Sequence, residues 1–251
     1  MLVELDLDGA VVLVTGGVRG VGLGITRAFL AAGAVVVTCA RRPAEVAGAS
    51  FVRCDVRDAD QVSELVAGIV ARFGRLDVVV NNAGGAPFAL ADKASPRFHS
   101  KVVELNLLAP LLVSQAAYEV MRTSGGSIVN VSSVSGRRPS PGTAAYGAAK
   151  AGLDSLTSSL AVEWAPKVRV NALAVGMVRT EQSHLHYGSE AGIEAVARTV
   201  PLGRLASPDE IGACAVFLAS PLASYVTGAT LVVHGGGEVP AFLAAADGGS
   251  S

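Results

Sequence analysis

Cysteine is scarce in this sequence, and the spacing of its few residues excludes two kinds of site. The chain of 251 residues has three cysteines, Cys39, Cys54 and Cys214, and no Cys-x-x-Cys pair. An odd number of separated cysteines gives neither a disulfide framework nor the ligand spacing of a structural zinc site. We therefore predict small buried cysteines in a protein of a reducing compartment, and no catalytic metal.

An excess of charge and a long apolar run are also missing. The chain has 20 Lys and Arg against 21 Asp and Glu, so it lacks the basic footprint that neutralises nucleic-acid phosphates. The most apolar stretch, residues 28–40, is shorter than the about 20 residues of a membrane-spanning helix. The acidic start MLVELDLDGA lacks the basic residues of a secretory signal. We predict a cytoplasmic protein that binds neither nucleic acid nor membrane.

Apolar residues are abundant, at 51%, and they lie in short β-branched runs that alternate with helical stretches. Continuous apolar strands are typical of a sheet covered on both faces, and this alternation is typical of parallel strands with right-handed crossovers. Strands are predicted at about 11–15, 35–39, 51–54, 76–81, 127–132, 168–174 and 229–233, and helices at about 20–32, 58–73, 98–123, 146–164 and 207–219. The predicted fold class is α/β, a single-domain Rossmann-type doubly wound parallel sheet of about seven strands with helices on both faces, over residues 1–251.

Two stretches interrupt this alternation. Residues 176–204 are too long for an ordinary connection, and long loops in compact domains are usually functional or disordered, so we predict a substrate lid there. Within it, His184, His186 and Tyr187 either contact substrate or are exposed loop residues, and both interpretations stay open. Residues 244–251 are predicted to be a frayed tail.

A glycine-rich turn follows the first predicted strand and opens the first predicted helix. It reads Thr15-Gly-Gly-Val-Arg-Gly-Val-Gly22, with the spacing T-G-x-x-x-G-x-G. Glycines allow a tight turn and close approach of a pyrophosphate, and the helix N-terminus offers unpaired N–H groups with positive partial charge. The pattern therefore indicates a dinucleotide site.

Two arginines decide the predicted cofactor. Enzymes that use NAD(H) place an acidic residue after the second strand to bind the ribose hydroxyls, whereas this chain has Ala40-Arg41-Arg42 there. Arg19 of the glycine turn is aimed at the same ribose. Guanidinium groups bind a 2′-phosphate through charge-assisted hydrogen bonds, so we predict NADP(H), with NAD(H) as the less favoured alternative.

A tyrosine and a lysine indicate acid–base chemistry. Tyr146 and Lys150 lie four residues apart at the start of a predicted helix, which puts them on one face. A phenol titrates near ~10, and an adjacent ammonium is expected to lower that pKa. Ser133 ends the fifth strand and Asn81 ends the fourth, at the sheet edge where ligands bind in parallel sheets.

These motifs, in order and spacing, resemble the short-chain dehydrogenase/reductases over roughly residues 7–237. The glycine turn, Asp55-Val56, the sequence Asn-Asn-Ala-Gly at 81–84, Asn106, Ser133 and the Tyr146–Lys150 pair all match that family. One departure is Val175-Gly176, where the family commonly has Pro-Gly, and it leaves the geometry of the cofactor loop open.

The resemblance implies a role for each catalytic residue. Tyr146 would exchange a proton with the carbonyl oxygen, and Ser133 would hold that oxygen and stabilise its charge. Lys150 would bind the nicotinamide ribose and lower the Tyr146 pKa, and Asn106 would kink its helix and hold a water. The residues expected to contact the cofactor are Gly16, Arg19, Gly20, Val21, Gly22, Arg41, Asp55, Val56, Asn82, Ala83, Gly84, Tyr146, Lys150, Val178 and Thr180.

The resulting hypothesis is an NAD(P)(H)-dependent oxidoreductase that moves a hydride between nicotinamide and a carbonyl or secondary alcohol. Its pattern most resembles 3-oxoacyl thioester reductases, although many substrates share such a fold. The alternative is a non-catalytic NADP(H)-sensing protein on the same fold. The resemblance also implies a homodimer or homotetramer formed through two long helices, about 98–123 and 146–164, and the C-terminal strand region.

Overall fold

The computed structural model describes residue 5 and residues 7–245, and its centre is one seven-stranded sheet in which every strand pair is parallel. The strands are β1 Val11–Thr15, β2 Val35–Ala40, β3 Ser50–Arg53, β4 Val78–Asn81, β5 Gly126–Ser133, β6 Val168–Val175 and β7 Thr230–Val233. Their order is β3-β2-β1-β4-β5-β6-β7. The predicted fold class is confirmed, with strand ends that differ from the prediction by a residue or two.

Helices cover both faces of the sheet. They are α1 Gly20–Ala31, α2 Ala59–Phe73, α3 Pro96–Val103, α4 Ala109–Ser124, α5 Ala144–Trp164, α6 Ser183–Tyr187, α7 Glu190–Ala197, α8 Pro208–Ala219 and α9 Ala241–Ala245. Val62, Val113 and Leu160 anchor α2, α4 and α5 in the core on one face. Phe29 and Ile211 anchor α1 and α8 in the core on the other. The continuous apolar strands fit between these layers because both of their faces are buried.

The predicted helix over 98–123 is wrong as one unbroken element. The chain instead forms α3, a π-helical turn at Glu104–Leu108, and α4. The Asn106 amide donates to the Val102 carbonyl at 3.0 Å, and Pro110 has no N–H to continue the helical ladder. A π turn accommodates both features, and such turns are frequent at functional sites.

The segment 176–204 is more ordered than a long loop. It contains α6 and α7, and Ile193, Val200 and Leu205 form a small apolar cluster of their own. The C-terminal segment packs against it, since the Val239 N–H donates to the Thr199 carbonyl at 2.8 Å. Of the predicted frayed tail, residues 246–251 lie outside the described residues, and α9 includes residues 244–245.

Arg169 of β6 closes the carboxyl end of α8. Its Nη1 donates to the carbonyls of Leu218 at 2.7 Å and Val226 at 3.2 Å, and its Nη2 donates to Ala219 at 3.0 Å and Ser220 at 3.3 Å. The last carbonyls of a helix have no partner within the helix. The guanidinium therefore ties α8 to the sheet, and its burial lowers the pKa of Arg169.

The strand order reverses direction between β1 and β4. Chain crossovers leave β1 toward β2 on one side and reach β4 on the other, and ligands bind in the crevice at such a switch point, beyond the carboxyl ends of the strands. In the described part of the chain, no helix is long and apolar enough to cross a membrane.

Candidate active site

The glycine turn adopts the backbone that its sequence predicts. Gly16 and Gly20 have φ angles of 65° and 51°, a region that favours glycine because a Cβ is strained there. A Cβ on Gly22 would clash with the Gly16 carbonyl oxygen, and one on Gly17 would lie 2.5 Å from the Thr26 hydroxyl. Side chains are therefore excluded at Gly17 and Gly22 by the close packing of the turn itself.

The N-terminus of α1 is suited to an anion. Arg19 is its N-cap residue, and within the described residues no side chain caps this end and no acidic residue lies in its first turn. In contrast, Asp58, Ser95 and Ser207 cap the N-termini of α2, α3 and α8. The first N–H groups of α1 are thus left for another acceptor, which is what a pyrophosphate requires.

Thr15 connects the glycine turn to the Asn-Asn-Ala-Gly turn after β4. Its hydroxyl accepts the backbone N–H groups of Asn82 and Ala83, both at 3.0 Å. The Asn82 amide donates to the carbonyls of Thr15 at 2.9 Å and Gly16 at 3.2 Å. The predicted residues Gly16, Asn82 and Ala83 are therefore brought together across the switch point.

The side of the crevice beyond β2 and β3 carries several charges. The side chains of Arg19 and Arg41 are exposed. Asp55 follows β3, and Arg57 binds it with Nε 2.9 Å from Oδ1 and Nη2 2.6 Å from Oδ2. This ion pair, more than any other cause, lowers the Asp55 pKa, and the Arg41 charge adds to the effect. Val56 is buried beside it.

Ser133 ends β5 with its hydroxyl in a fixed position. Its Oγ accepts the backbone N–H of Ser135 at 3.2 Å, so its own O–H can donate to another oxygen. The residue is 9% exposed. A nearly buried hydroxyl of this kind can hold a substrate oxygen without competition from bulk water.

Tyr146 lies on the first turn of α5 and faces Ser133. Burial raises the pKa of its phenol, and a hydrogen bond with Ser133 opposes that change. The expectation that Lys150 lowers this pKa is not met in the present geometry. The reason is that the phenol loses hydration, while the Lys150 ammonium lies 5.6 Å from the ring centroid rather than at the hydroxyl.

Lys150 lies one helical turn beyond Tyr146 and is buried beneath it. Its ammonium donates to the Val131 carbonyl of β5 at 2.6 Å, and its backbone carbonyl accepts from the Ser132 hydroxyl at 3.2 Å. Burial lowers the pKa of Lys150 to about 8, against a small opposing contribution from Asp154. The lysine therefore remains mostly charged at neutral pH and becomes neutral under mildly alkaline conditions.

Asn106 links the π turn to the loop after β4. Its amide donates to the Gly85 carbonyl at 3.0 Å, and its Oδ1 accepts the Gly85 N–H at 3.2 Å. A Cβ on Gly84 would lie 2.6 Å from the same Oδ1. The break in the helix is where Asn106 was expected to cause one, and its role in holding a water stays a prediction.

Val178 and Thr180 follow β6, and Thr180 reaches back to the glycine turn. Val178 forms a parallel bridge with Ala206, and the Thr180 methyl lies 3.7 Å from the position of a Cβ on Gly20. Thr180 thus borders the same crevice as the glycine turn, and Val178 lies two residues before it in the chain.

The lid residues separate into two groups. His184 and His186 are exposed, whereas Tyr187 is half-buried, and burial raises the pKa of its phenol. The charge of Arg138 lowers the Tyr187 pKa and that of Glu238 raises it. The side chains of these two residues form an ion pair at 2.7 Å. This pair joins the loop after Ser133 to the C-terminal segment.

A buried polar network beneath the site was missed by sequence reasoning. The Asn81 amide donates to Ser114 at 2.9 Å and to Asn130 at 2.8 Å, and Asn130 donates to Thr157 at 2.9 Å. These bonds tie β4 and β5 to α4 and α5. Polar residues inside otherwise apolar strands were the available signal, but their partners depend on the strand order. Thr15 was missed as a contact residue in the same way.

No group of His, Cys, Asp and Glu residues in the described part of the chain could hold a metal ion. The three cysteines are free, with Cys39 and Cys54 buried and Cys214 partly buried.

Several known proteins are similar to this chain over most of its length. A family model described as enoyl-(acyl carrier protein) reductase matches residues 16–238. L-fucose dehydrogenase of Oryctolagus cuniculus is 40% identical over 244 residues, covering 92% of this chain and 86% of that protein. D-threitol dehydrogenase of Mycolicibacterium smegmatis is 37% identical, covering 93% and 94%, and galactitol 2-dehydrogenase of Agrobacterium fabrum is 36% identical, covering 92% and 98%.

Solved structures also match. Aldohexose dehydrogenase of Thermoplasma acidophilum, in its ligand-free form, superposes with a TM-score of 0.89 at 31% identity, covering 93% of this chain and 96% of that one. The relatives above are named for sugars and polyols rather than for 3-oxoacyl thioesters. The chain belongs to the short-chain dehydrogenase/reductase family of NAD(P)-dependent oxidoreductases.

Proposed function

We propose that this protein is a dehydrogenase that interconverts a secondary alcohol of a sugar or polyol with the corresponding carbonyl compound, and that it prefers NADP(H). The observation that carries the proposal is the convergence of Ser133, Tyr146 and Lys150 at one sheet edge. Tyr146 faces the Ser133 hydroxyl, and the Lys150 ammonium lies 5.6 Å from its ring centroid. This edge is beside the glycine turn, where a ligand of an open parallel sheet binds.

In this proposal Tyr146 moves the proton. Its phenolate accepts the hydroxyl proton of the alcohol during oxidation, and its phenol returns a proton to the carbonyl oxygen during reduction. When bound, the nicotinamide nucleotide supplies the group that accepts or donates the hydride at the substrate carbon. Ser133 donates its O–H to the substrate oxygen and so holds it within reach of Tyr146.

Lys150 and Asn106 support the tyrosine. The positive charge of Lys150 favours the phenolate form of Tyr146, provided that the ammonium turns from the Val131 carbonyl toward the hydroxyl. Asn106 fixes the loop at Gly85 through a pair of hydrogen bonds. This loop shares its backbone with Asn82 and Ala83, so the π turn positions the cofactor side of the site.

The residues around the glycine turn fit a nicotinamide dinucleotide phosphate. Gly16, Gly20 and Gly22 would leave room for the pyrophosphate, and the uncapped start of α1 would bind it. Arg19 and Arg41, both exposed, would bind the 2′-phosphate. Asp55, Val56, Gly84, Val178 and Thr180 would line the adenine and nicotinamide ends.

The substrate class is proposed from the relatives, whose names specify L-fucose, D-threitol and galactitol. A 3-oxoacyl thioester, which the motif pattern first suggested, has no support among these names. A sensor without turnover would not need the Tyr146–Lys150 pair, and its retention favours an enzyme.

A panel of substrates tests the proposal. The purified protein is assayed at 340 nm with NADP⁺ or NAD⁺ and L-fucose, D-threitol, galactitol or an aldohexose, and in the reverse direction with NADPH and acetoacetyl thioester. We expect oxidation of at least one polyhydroxylated substrate, faster with NADP⁺ than with NAD⁺. Tyr146→Phe is expected to lower kcat about 10³-fold, since a positioned acid–base group contributes ~10² to 10⁴. Tyr225→Phe, which removes the hydroxyl of a fully exposed tyrosine before β7, is the matched control.

Three results would contradict the proposal. Nucleotide binding without turnover of any of these compounds would favour the sensor. Turnover of acetoacetyl thioester alone would favour the thioester reductase. Undiminished turnover by the Tyr146→Phe variant would remove the acid–base role on which the whole scheme depends.

A further inference from the structure

Arg57 binds Asp55 in a way that fixes both carboxylate oxygens. The Nε and Nη2 atoms of the guanidinium meet Oδ1 and Oδ2 at 2.9 and 2.6 Å, so the two planar groups face each other as a fork. The Arg57 backbone N–H adds a third bond to Oδ1 at 3.2 Å. Bidentate pairs of this kind are strong and define the plane of the carboxylate.

The fork leaves one side of the carboxylate available. Oδ1 accepts two hydrogen bonds and Oδ2 accepts one, whereas each carboxylate oxygen has two acceptor positions. The Asp55 side chain is 26% exposed, so the carboxylate is not closed off from a ligand. The loop is otherwise held by the Asp55 N–H, which donates to the Gln61 side chain at 3.0 Å.

We propose that Arg57 is a positioning residue that aims Oδ2 of Asp55 at the 6-amino group of the cofactor's adenine, and thereby makes the site selective for adenine over hypoxanthine. Adenine carries a donor at position 6, and hypoxanthine carries a carbonyl oxygen there. A carboxylate oxygen held in place accepts the first and repels the second. This inference rests on the proposed function, because it requires that Asp55 faces the adenine of a bound dinucleotide.

A binding ratio isolates this role from the effect of charge. Removing Arg57 takes a positive charge away from a site for a phosphate-rich ligand, which weakens every such ligand. NADP⁺ and its hypoxanthine analogue have the same charge and nearly the same shape. They differ at position 6 and at N1, which accepts a hydrogen bond in adenine and carries a proton in hypoxanthine, and the N1 difference is the same in every variant compared. The quotient of their dissociation constants therefore cancels general electrostatics and any overall loosening of the loop.

The experiment measures both dissociation constants by calorimetry on the full chain, without substrate. The wild type is expected to bind the hypoxanthine analogue about tenfold more weakly, the usual size for one charge-assisted hydrogen bond. In Arg57→Met the quotient is expected to fall below about threefold. Arg57→Lys keeps the charge but cannot form a fork, so it should also lower the quotient, and it serves if the methionine variant does not fold.

Arg75→Met is the matched control. Arg75 pairs with an aspartate two residues further along the chain, with its Nη2 2.7 Å from Oδ1 of Asp77. It precedes β4, so it lies at the amino ends of the strands, whereas Asp55 follows the carboxyl end of β3. We expect a wild-type quotient in this variant. In Asp55→Asn the quotient should fall at least as far as in Arg57→Met, because an amide can turn its NH₂ toward the hypoxanthine oxygen, and adding Arg57→Met should change it no further, because Arg57 acts through Asp55.

The outcomes separate this inference from the proposed function. A wild type that binds neither dinucleotide would sink both. A wild type that binds both equally, Arg57 variants that keep the wild-type quotient, or an Arg57 effect that persists in Asp55→Asn would overturn the inference alone.

Discussion

Burial acts on Tyr146 and Lys150 in the same sense, since it favours the neutral form of each. The pKa of the phenol is raised and that of the ammonium is lowered to about 8. Each group therefore gives up its charge more readily than it would in water. Such perturbed groups are typical of active sites.

Alcohol oxidation is therefore expected to be favoured at alkaline pH. The base form of Tyr146 is scarce at neutral pH because its pKa is raised, so kcat/KM should increase about tenfold per pH unit between pH 6 and 8. Above pH 8 the increase should flatten as Lys150 loses its charge. Initial rates with a polyol at saturating NADP⁺ measure this profile, and a flat profile would exclude Tyr146 as the base.

Lys150→Met is expected to be inactive but more stable than the wild type. The buried ammonium has a pKa of about 8 instead of 10.5, which at ~1.4 kcal/mol per pH unit costs about 3 kcal/mol at pH 7. The variant also loses the hydrogen bond to the Val131 carbonyl, which destabilises it by about 1 kcal/mol. The free energy of unfolding should therefore rise by roughly 2 kcal/mol. Urea denaturation at pH 7 measures it.

The pH dependence of that gain has a definite sign. A lysine with a lowered folded-state pKa binds fewer protons in the folded state than in the unfolded state between about pH 8 and 10.5. The wild type therefore becomes relatively more stable as pH rises through that window. The advantage of Lys150→Met should shrink by pH 10, and a methionine variant that is less stable at pH 7 would contradict the argument.

Arg41→Asp is expected to reverse the cofactor preference. The change removes one guanidinium and places a carboxylate near the proposed 2′-phosphate, which should weaken NADP⁺ relative to NAD⁺ about 100-fold. Comparison of kcat/KM for the two nucleotides measures this. Arg122→Asp makes the same charge change in the last turn of α4, before β5, and should leave the preference intact. An unchanged preference in Arg41→Asp would remove Arg41 from the site.

At the scale of the elements, the end of helix α8 is held by Arg169, a residue of strand β6. The guanidinium of Arg169 donates four hydrogen bonds to carbonyls at and beyond the end of α8. Arg169→Met should lower the free energy of unfolding by about 3 kcal/mol, because those carbonyls lose a charged donor in a partly buried place. Thermal and urea denaturation measure it against Arg75→Met, whose arginine is 62% exposed and should contribute less than about 1 kcal/mol. Equal losses in the two variants would contradict this account.

The strands were predictable from sequence because their apolar runs are short, β-branched and bounded by turn residues. VVLVT at 11–15 and the glycine turn after it are found where the pattern placed them. The π turn was not predictable, because it depends on Asn106 meeting Gly85, 21 residues away in the chain. The Arg57–Asp55 fork was missed for a related reason, since only the observed loop brings residues two apart face to face.

The candidate site was predictable in its membership but not in its electrostatics. Ser133, Tyr146 and Lys150 could be identified from motif spacing, and the sheet brings them together. The direction of the Tyr146 pKa shift could not, because it depends on how much water the folded chain removes from the phenol. Roles of individual residues, and the single-domain organisation over residues 1–251, stay predictions.

At the scale of the whole molecule, several apolar surfaces suggest assembly. A groove of about 650 Å³ is lined by residues of α2, α4 and α5, and Val162 of α5 is 81% exposed. On the edge strand β7, Leu231 and Val232 are also exposed. Exposed apolar patches of this kind mark interfaces more often than free surface.

Light scattering after size exclusion is therefore expected to give the mass of a dimer or tetramer. Val162→Glu should reduce that mass, because a charge on the exposed face of α5 would be buried in the contact. Leu185→Glu changes an apolar lid residue that is 68% exposed and should leave the mass unchanged. A monomeric wild type at micromolar concentration would contradict the expectation.

The Arg138–Glu238 ion pair and the Val239–Thr199 hydrogen bond join three stretches of chain that lie far apart in sequence. Each stretch borders Tyr187 or the lid, so replacing a residue in one changes the support of the other two. Effects of such neighbours do not add. In variants selected in the laboratory for a new substrate, substitutions in these stretches should accordingly occur in pairs. Reverting one member of such a pair should lower activity more than reverting both.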